Sequence, residues 1–420
     1  MRVNALDRPW AGALTASLVG PVRLPPRDAV VRAIVELATA FPYSRLGWQL
    51  DRDATAWSSR PDALRTLADE MVVSTDDDPA ADYSRFLTAF GRRRDLPWPA
   101  AFLLAHDHLG LSLSHGVGDG HAITLFMSGV LSTAHTGQLP DWPRGPGLAH
   151  PYRAATASFF GRSPRRLARA LRAARPARKA IPAKASIPWT PDPVTVYRHV
   201  RKELLTGVKA WRRSYAPGIS MPALELTLLL KAFRATDLHL HSEVLALFDA
   251  RRYVPRAQVD GNFVVGLLLP LSARNTVAEI ANAMTSAIDS GRPLTALGLG
   301  LLTRRHASPP PATRPAGSLP RLAFTHIGRP QAIQRLPFLE GAVPMYAGSI
   351  DPADPCGITV ATTQVGHGLH LSATAHAGVV DPAQVARALE IIAGDPVALL
   401  DDERRSKGFS TSSLSHRSFL

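Results

Sequence analysis

Ser114-His115-Gly116-Val117-Gly118-Asp119-Gly120 sets a histidine, three spacers, an aspartate and a glycine at one seam of the chain. Just upstream, Phe102, Leu103 and Leu104, then Asp107 to Gly110, then Leu111 and Leu113, read as two strands joined by a tight turn. Downstream, Gly116, Gly118 and Gly120 punctuate a loop, and His121 to Ala134 is an almost wholly apolar helix. The order strand, glycine loop, buried helix holds polar groups at the lip of a core. Histidine titrates near neutrality, so His115 on such a loop can take a proton from an alcohol or amine as that group attacks a thioester. Asp119, at the head of the helix, suits the helix dipole and can anchor an arginine that stiffens the loop. The glycines allow a tight turn and a close approach of backbone to substrate.

Working outward, 420 residues are too many for one ordinary core and argue for two lobes. Hydrophobic residues at 45% and charged residues at 20% describe a folded globular chain rather than a disordered one. The single cysteine, Cys356, cannot form an intramolecular disulfide, so the cytoplasm is the expected address. Trp10 to Val22 is apolar but short, lacks a cationic leader and is soon interrupted by Pro21, Pro25 and Pro26, which predicts neither a signal peptide nor a transmembrane span.

The segment Ala29 to Phe41 carries Val30, Ile34, Leu37 and Phe41 at helical spacing and predicts a docked helix. A first lobe over 1–150 holds the motif, a crossover linker rich in proline and arginine spans 151–193, a second lobe covers 194–400, and 401–420 reads as a frayed tail, serine-rich from Ser410 to Ser418. In the second lobe strands are expected near Val194 to Leu204, Glu243 to Phe248, Phe263 to Leu269, Leu322 to Thr325, Gly357 to Thr363 and Leu369 to Ala375. Helices are expected near Thr206 to Tyr215, Pro222 to Thr236, Thr276 to Ser290 and from Pro382, with a proline cluster at Pro309 to Pro320. Without a dinucleotide fingerprint, a phosphate loop or a fixed repeat, the pattern is an α/β class of α+β sandwiches.

Net charge is +14, from 48 Lys and Arg against 34 Asp and Glu. Much of the excess is local: Arg162, Arg165, Arg166, Arg169, Arg172, Arg175, Arg178, Lys179 and Lys184 follow one another with no acid between. Leu167, Leu171 and Ala174 lie against the arginines as a short amphipathic helix, so the run reads equally as a solvated face or as a dock for an anionic partner. Nucleic acid is disfavoured by the lack of interleaved aromatics, while an anionic lipid surface stays open.

With these residues in view, the chain resembles the chloramphenicol-acetyltransferase-like superfamily, which includes nonribosomal peptide condensation domains, plant BAHD acyltransferases and mycobacterial polyketide-associated acyltransferases. Its signature, His-His-x-x-x-Asp-Gly, matches at His115, Asp119 and Gly120, with Ser114 in place of the first histidine. Leu6-Asp7-Arg8-Pro9, Phe248-Asp249-Ala250-Arg251 and Gly261-Asn262-Phe263 extend the likeness. The resemblance implies two related lobes forming a V with a substrate tunnel between them, and an acyltransferase in which the second motif histidine is the base. It implies that Asp119 is structural, paired with Arg251 or, in reserve, Arg252, and that Thr325 in Phe324-Thr325-His326-Ile327-Gly328 can donate to an oxyanion. An acyl thioester of coenzyme A or phosphopantetheine would be the co-substrate, with no metal or redox cofactor, a small-molecule acceptor, and Arg165, Arg169 and Arg172 docking the donor or an acidic carrier protein. The alternatives are a stand-alone condensation enzyme and an inactive relative that binds carrier proteins or a ligand. His106, His108 and His121 crowd the motif region, and His106 and His108 would share a face if the strand ran through them. No cysteine or paired carboxylate completes a metal set, which favours acceptor binding or surface exposure.

Overall fold

Segments alternating in side become strands, and segments with an apolar stripe become the helices that cover them. The computed structural model describes residues 2–51, 55–161, 163–173, 185–302, 311–352 and 354–406. Outside them lie Arg162, Ala174, Arg175, Arg178, Lys179 and Lys184, with Pro309 and the serine-rich segment 410–418.

In chain order the first strands are β1 (Leu14–Gly20), β2 (Gln49–Leu50), β3 (Trp57–Ser58), β4 (Val72–Thr75), β5 (Ala100–Ala105) and β6 (His108–Ser114). Next come β7 (Ser186–Pro188), β8 (Pro193–Val200), β9 (Val244–Asp249), β10 (Val264–Leu269) and β11 (Thr313–Pro315). The last are β12 (Arg321–Gly328), β13 (Met345–Ile350), β14 (Gly357–Val365) and β15 (Gly368–His376). Among the described residues the first half carries the α-helices α1 (Arg27–Ala40), α2 (Leu64–Met71), α3 (Tyr83–Arg92), α4 (Gly120–Thr136), α5 (Pro151–Phe160) and α6 (Pro164–Ala173). The second half supplies α7 (Lys202–Tyr215), α8 (Met221–Ala235), α9 (Val277–Asp289), α10 (Arg292–Leu302), α11 (Gln331–Gln334), α12 (Pro382–Gly394) and α13 (Pro396–Ser406). The last helix thus continues to Ser406, past the point at which a tail was expected.

Two sheets organise the molecule, a 5-stranded one in the order β13-β1-β6-β5-β4 and a 6-stranded one in the order β10-β9-β12-β14-β15-β8. The apolar stretch from Trp10 carries β1, which runs antiparallel to β6 with Leu14 opposite Ser114. On its other side β1 pairs with β13, Thr15 opposite Ile350, so a strand from the second half of the chain completes the first sheet. Val30, Ile34, Leu37, Phe126, Met127 and Val130 bring α1 and α4 onto the first sheet in one core. Leu224, Leu228, Phe233, Val385 and Leu389 bring α8 and α12 onto the second. A third cluster, with Ala155, Phe160, Phe263 and Leu294, joins α5 and α10 to the segment that carries Arg251 and Asn262.

Helix α3 joins the lobes. Its Leu87 shares a small core with Leu18 of β1, Tyr197 of β8 and Met345 of β13. Thr88 accepts from the Thr195 amide at 2.9 Å, and Arg92 Nε donates to the Pro193 carbonyl at 2.8 Å. Between the sheets lies a cavity of about 720 Å³. It is lined by Leu245 and Leu247, Val264 and Gly266, Ala323 and Thr325, and Thr359 and Ala361, every second residue of four neighbouring strands of the second sheet. Residues between them, such as Ala246, Phe324 and Val360, point the other way into the second core.

Candidate active site

His115 follows β6 at the end of the first sheet. Its amide donates to the Ala13 carbonyl at 2.8 Å, which ties the motif loop to the start of β1. The half-buried imidazole lines the cavity together with Trp10, Asp119, Gly120 and, from the opposite sheet, Thr325. Trp10 lies over it with ring centroids 5.1 Å apart and planes inclined by 31°. On its other edge, His115 Nδ1 is 3.1 Å from Asn262 Oδ1. Burial pushes the His115 pKa below the ordinary histidine value, opposed by the charge of Asp119 and the hydrogen bond with Asn262. A depressed pKa keeps the ring neutral and able to accept a proton.

Asp119 caps α4, and although it borders the cavity, both its oxygens are taken up by protein donors. One oxygen accepts from the His121 amide at 3.1 Å, and the other accepts from Arg251 Nη1 at 2.7 Å and from the Phe263 amide at 3.2 Å. Arg251 uses its other nitrogen on the Gly261 carbonyl at 2.7 Å, so the ion pair clamps the motif loop to segment 259–263 of the second lobe. Arg252 stands apart, exposed, donating to the Asp249 carbonyl. Ser114, at the position where the signature has its first histidine, is fully buried. Its hydroxyl donates to the Ala11 carbonyl at 2.9 Å and accepts from the Gly116 amide at 3.2 Å, shaping the loop. At Gly118 a Cβ would come within 2.4 Å of Ala122, so the helix can start this tightly only on glycine.

Two groups that the sequence left without a role complete the frame. Asp7 accepts at Oδ1 from the Asn262 amide at 2.7 Å and from Asn262 Nδ2 at 3.0 Å. Its Oδ2 lies 2.9 Å from Arg45 Nη1, and Arg45 donates to the Val117 carbonyl at 3.1 Å. Burial pushes the Asp7 carboxyl above the usual carboxylate range, and Arg45 and Asn262 oppose that. Asp7 and Asn262 stood inside the quoted resemblances, but 255 residues separate them. Arg45 lies in a segment with no local signal for its partner.

The histidines near the motif do not converge. The strand stops at Ala105, so the expected shared face of His106 and His108 is not formed: His106 turns the chain at φ 48° and is exposed, whereas His108 is buried with Nε2 at 3.1 Å from the Tyr83 hydroxyl. His121, exposed on α4, lies at the opposite end of β6. At the His106 turn, Asp78, His106 and Asp107 bring one ligand atom each within 4.8 Å of one another, so a pair of carboxylates does stand beside that histidine, far from His115.

Arg165, Arg169 and Arg172 sit exposed on α6, outside the cavity lining. Arg166 between them has a structural position instead, 4.2 Å over the Phe159 ring and 2.7 Å from the Asp289 carbonyl. Among the described residues no helix is long and apolar enough to cross a membrane.

Together the fold and its central cavity define the two-lobed chloramphenicol-acetyltransferase-like architecture. A trichothecene 15-O-acetyltransferase from Fusarium sporotrichioides superposes with a TM-score of 0.61 at 11% identity, over 95% of this chain and 94% of that one. The nonribosomal peptide condensation enzyme VibH gives 0.53 at 15% identity, over 94% and 92%. Polyketide synthase associated protein 5 from Mycobacterium tuberculosis gives 0.53 at 15% identity, over 94% and 98%. At these identities the likeness is one of fold. No protein-family model matches the chain, and a search of curated protein sequences found no match.

Proposed function

We propose that the protein is an acyltransferase that moves an acyl group from a coenzyme A or carrier-protein thioester to a hydroxyl or amine, with His115 as general base and no acyl-enzyme. One observation carries the reading: a neutral-leaning imidazole, held by Asn262 and Trp10, stands in a cavity that crosses the lobe interface. In such a site His115 takes the acceptor proton as the acceptor attacks the thioester carbonyl, and returns it to the departing thiolate. Thr325, across the cavity, is the proposed donor to the oxyanion of the tetrahedral intermediate. Asp119, Gly120 and Arg251 hold the loop. The apolar lining by Leu14, Ile123, Leu245 and Val264 suits an apolar acyl chain or acceptor.

Arg165, Arg169 and Arg172 are the proposed dock for an acidic carrier protein or for coenzyme A phosphates, and the cytoplasm is the proposed address. The placement of Ser114 favours an active enzyme over an inactive binder, since the missing first histidine is replaced by a loop-forming hydroxyl and leaves His115 in place. A stand-alone condensation enzyme is the second reading, since it would use the same base and the same attack on a thioester. The test is to incubate the chain with a panel of acyl thioesters and follow free thiol release with and without hydroxyl and amine acceptors. Acceptor-dependent release that His115→Ala abolishes supports the proposal, and release by neither protein overturns it.

A further inference from the structure

We infer that Asn262 is a positioning residue that fixes which nitrogen of His115 carries the proton. The inference deepens the proposed function and rests on His115 as the base. Asn262 is 2% exposed, and its amide nitrogen donates to Asp7 Oδ1 at 3.0 Å and to the His115 carbonyl at 2.6 Å. Reversing the amide would set its oxygen against both of those oxygens, so only one orientation is satisfied. In that orientation Oδ1 faces His115 Nδ1 at 3.1 Å, and an amide oxygen can only accept. Nδ1 therefore bears the hydrogen, a placement that the ring's hydrogen bond to its own backbone carbonyl also favours, and Nε2 keeps the lone pair, the opposite of the preference of a free imidazole in water.

The orientation is itself enforced from further out. Asp7 is held at Oδ1 by two Asn262 donors and at Oδ2 by Arg45, and Arg45 returns to the motif loop through the Gly116 and Val117 carbonyls. Gly261, at φ 72°, makes room for this circuit, since a Cβ there would lie 2.6 Å from Asp7 Oδ1 and 2.7 Å from Arg45 Nη1. The circuit thus carries orientation from the chain's first residues to the ring of His115, in the way that outer hydrogen bonds set the tautomer of a catalytic or ligating histidine.

The experiment is nitrogen NMR of the full chain labelled with 15N-histidine at about pH 8, above the ordinary histidine range, with the His115 resonances assigned by their loss in His115→Gln. The expected result is a proton on Nδ1 in the wild type and a shift toward the Nε2–H form in Asn262→Ala. In thiol release, Asn262→Ala should lower kcat about ten- to a hundredfold with KM unchanged, and move the acid limb of the rate profile to lower pH, because the lost hydrogen bond favours the protonated ring. A proton on Nε2 in the wild type overturns the inference, and so does an Asn262→Ala spectrum that keeps Nδ1–H. The wild-type measurement decides even if the variant fails to fold. A proton on Nδ1 combined with full thiol release by His115→Ala would sink the proposed function and still support the inference.

Discussion

His115 is one imidazole, depressed by burial and gripped on a face and an edge, and the proposed function asks nothing chemically unusual of it. Replacing it by alanine should lower thiol release about a hundredfold to ten-thousandfold while the melting curve stays put, because only a positioned base is lost. The direction of its shift adds a sign. A base works deprotonated, so the rate should rise to its plateau with a midpoint below the ordinary histidine value of about 6.5, as a pH profile of kcat/KM would show. A midpoint above it would contradict the burial of the ring. Asp119 behaves differently, since its 2.7 Å pair with Arg251 is nearly closed to water. Removing either partner leaves the other without its counter-charge, and Asp119→Ala should cost on the order of 3–5 kcal/mol in denaturant unfolding. Arg251→Ala should match it, and the double variant should cost less than the two single losses together.

Helix α6 carries the proposed dock, and a charge reversal tests it. Reversing the exposed Arg165, Arg169 and Arg172 to glutamate should raise KM for carrier-bound acyl groups and hardly affect a short synthetic thioester, because rim charges steer association without touching proton transfer. Added salt should weaken the wild type more than the variant. Equal kinetics with every donor at low salt would leave the helix a solvated face. Elements were legible from the sequence where one signal dominated: the apolar runs of β5 and α4, the alternation of β6, β14 and β15, and the apolar stripes of α1 and α8. β1 was visible only as an apolar stretch, since its sequence does not say which edge it will take. β13 gave no usable signal, because its meaning is a partner strand more than three hundred residues earlier. α3 buries only Leu87, Phe90 and Gly91, a stripe too narrow to stand out. In the site, local spacing reached His115 and Asp119, and the resemblance reached Arg251. The grip of Asn262, Asp7 and Arg45 depended on contacts between distant segments that no spacing encodes.

At the scale of the whole molecule, the seam between the lobes carries buried ionisable groups whose cost depends on pH. His370 on β15 is buried against the Tyr197 hydroxyl at 2.8 Å and stacked 4.7 Å from His199, and burial pushes its pKa down to about 3. Unfolded, the same side chain binds a proton near pH 6.5, so between these values the unfolded chain holds more protons and stability falls as pH falls. Thermal melts from neutral pH downward should show this loss, and His370→Gln should flatten the slope. A wild-type melting temperature that did not change down to pH 4 or so would contradict the burial of this ring. The late strand β13, seated against β1, has a consequence of another kind. While the protein is being made, the first lobe leaves the ribosome with one edge of its sheet unpaired, and at roughly 5–20 residues per second the missing strand follows on the order of half a minute later. During that interval the nascent chain offers an open strand edge to its neighbours, so its yield in a cell should depend on chaperones that guard unfinished chains, and slowing translation between codons 200 and 340 or thereabouts should turn product into aggregate.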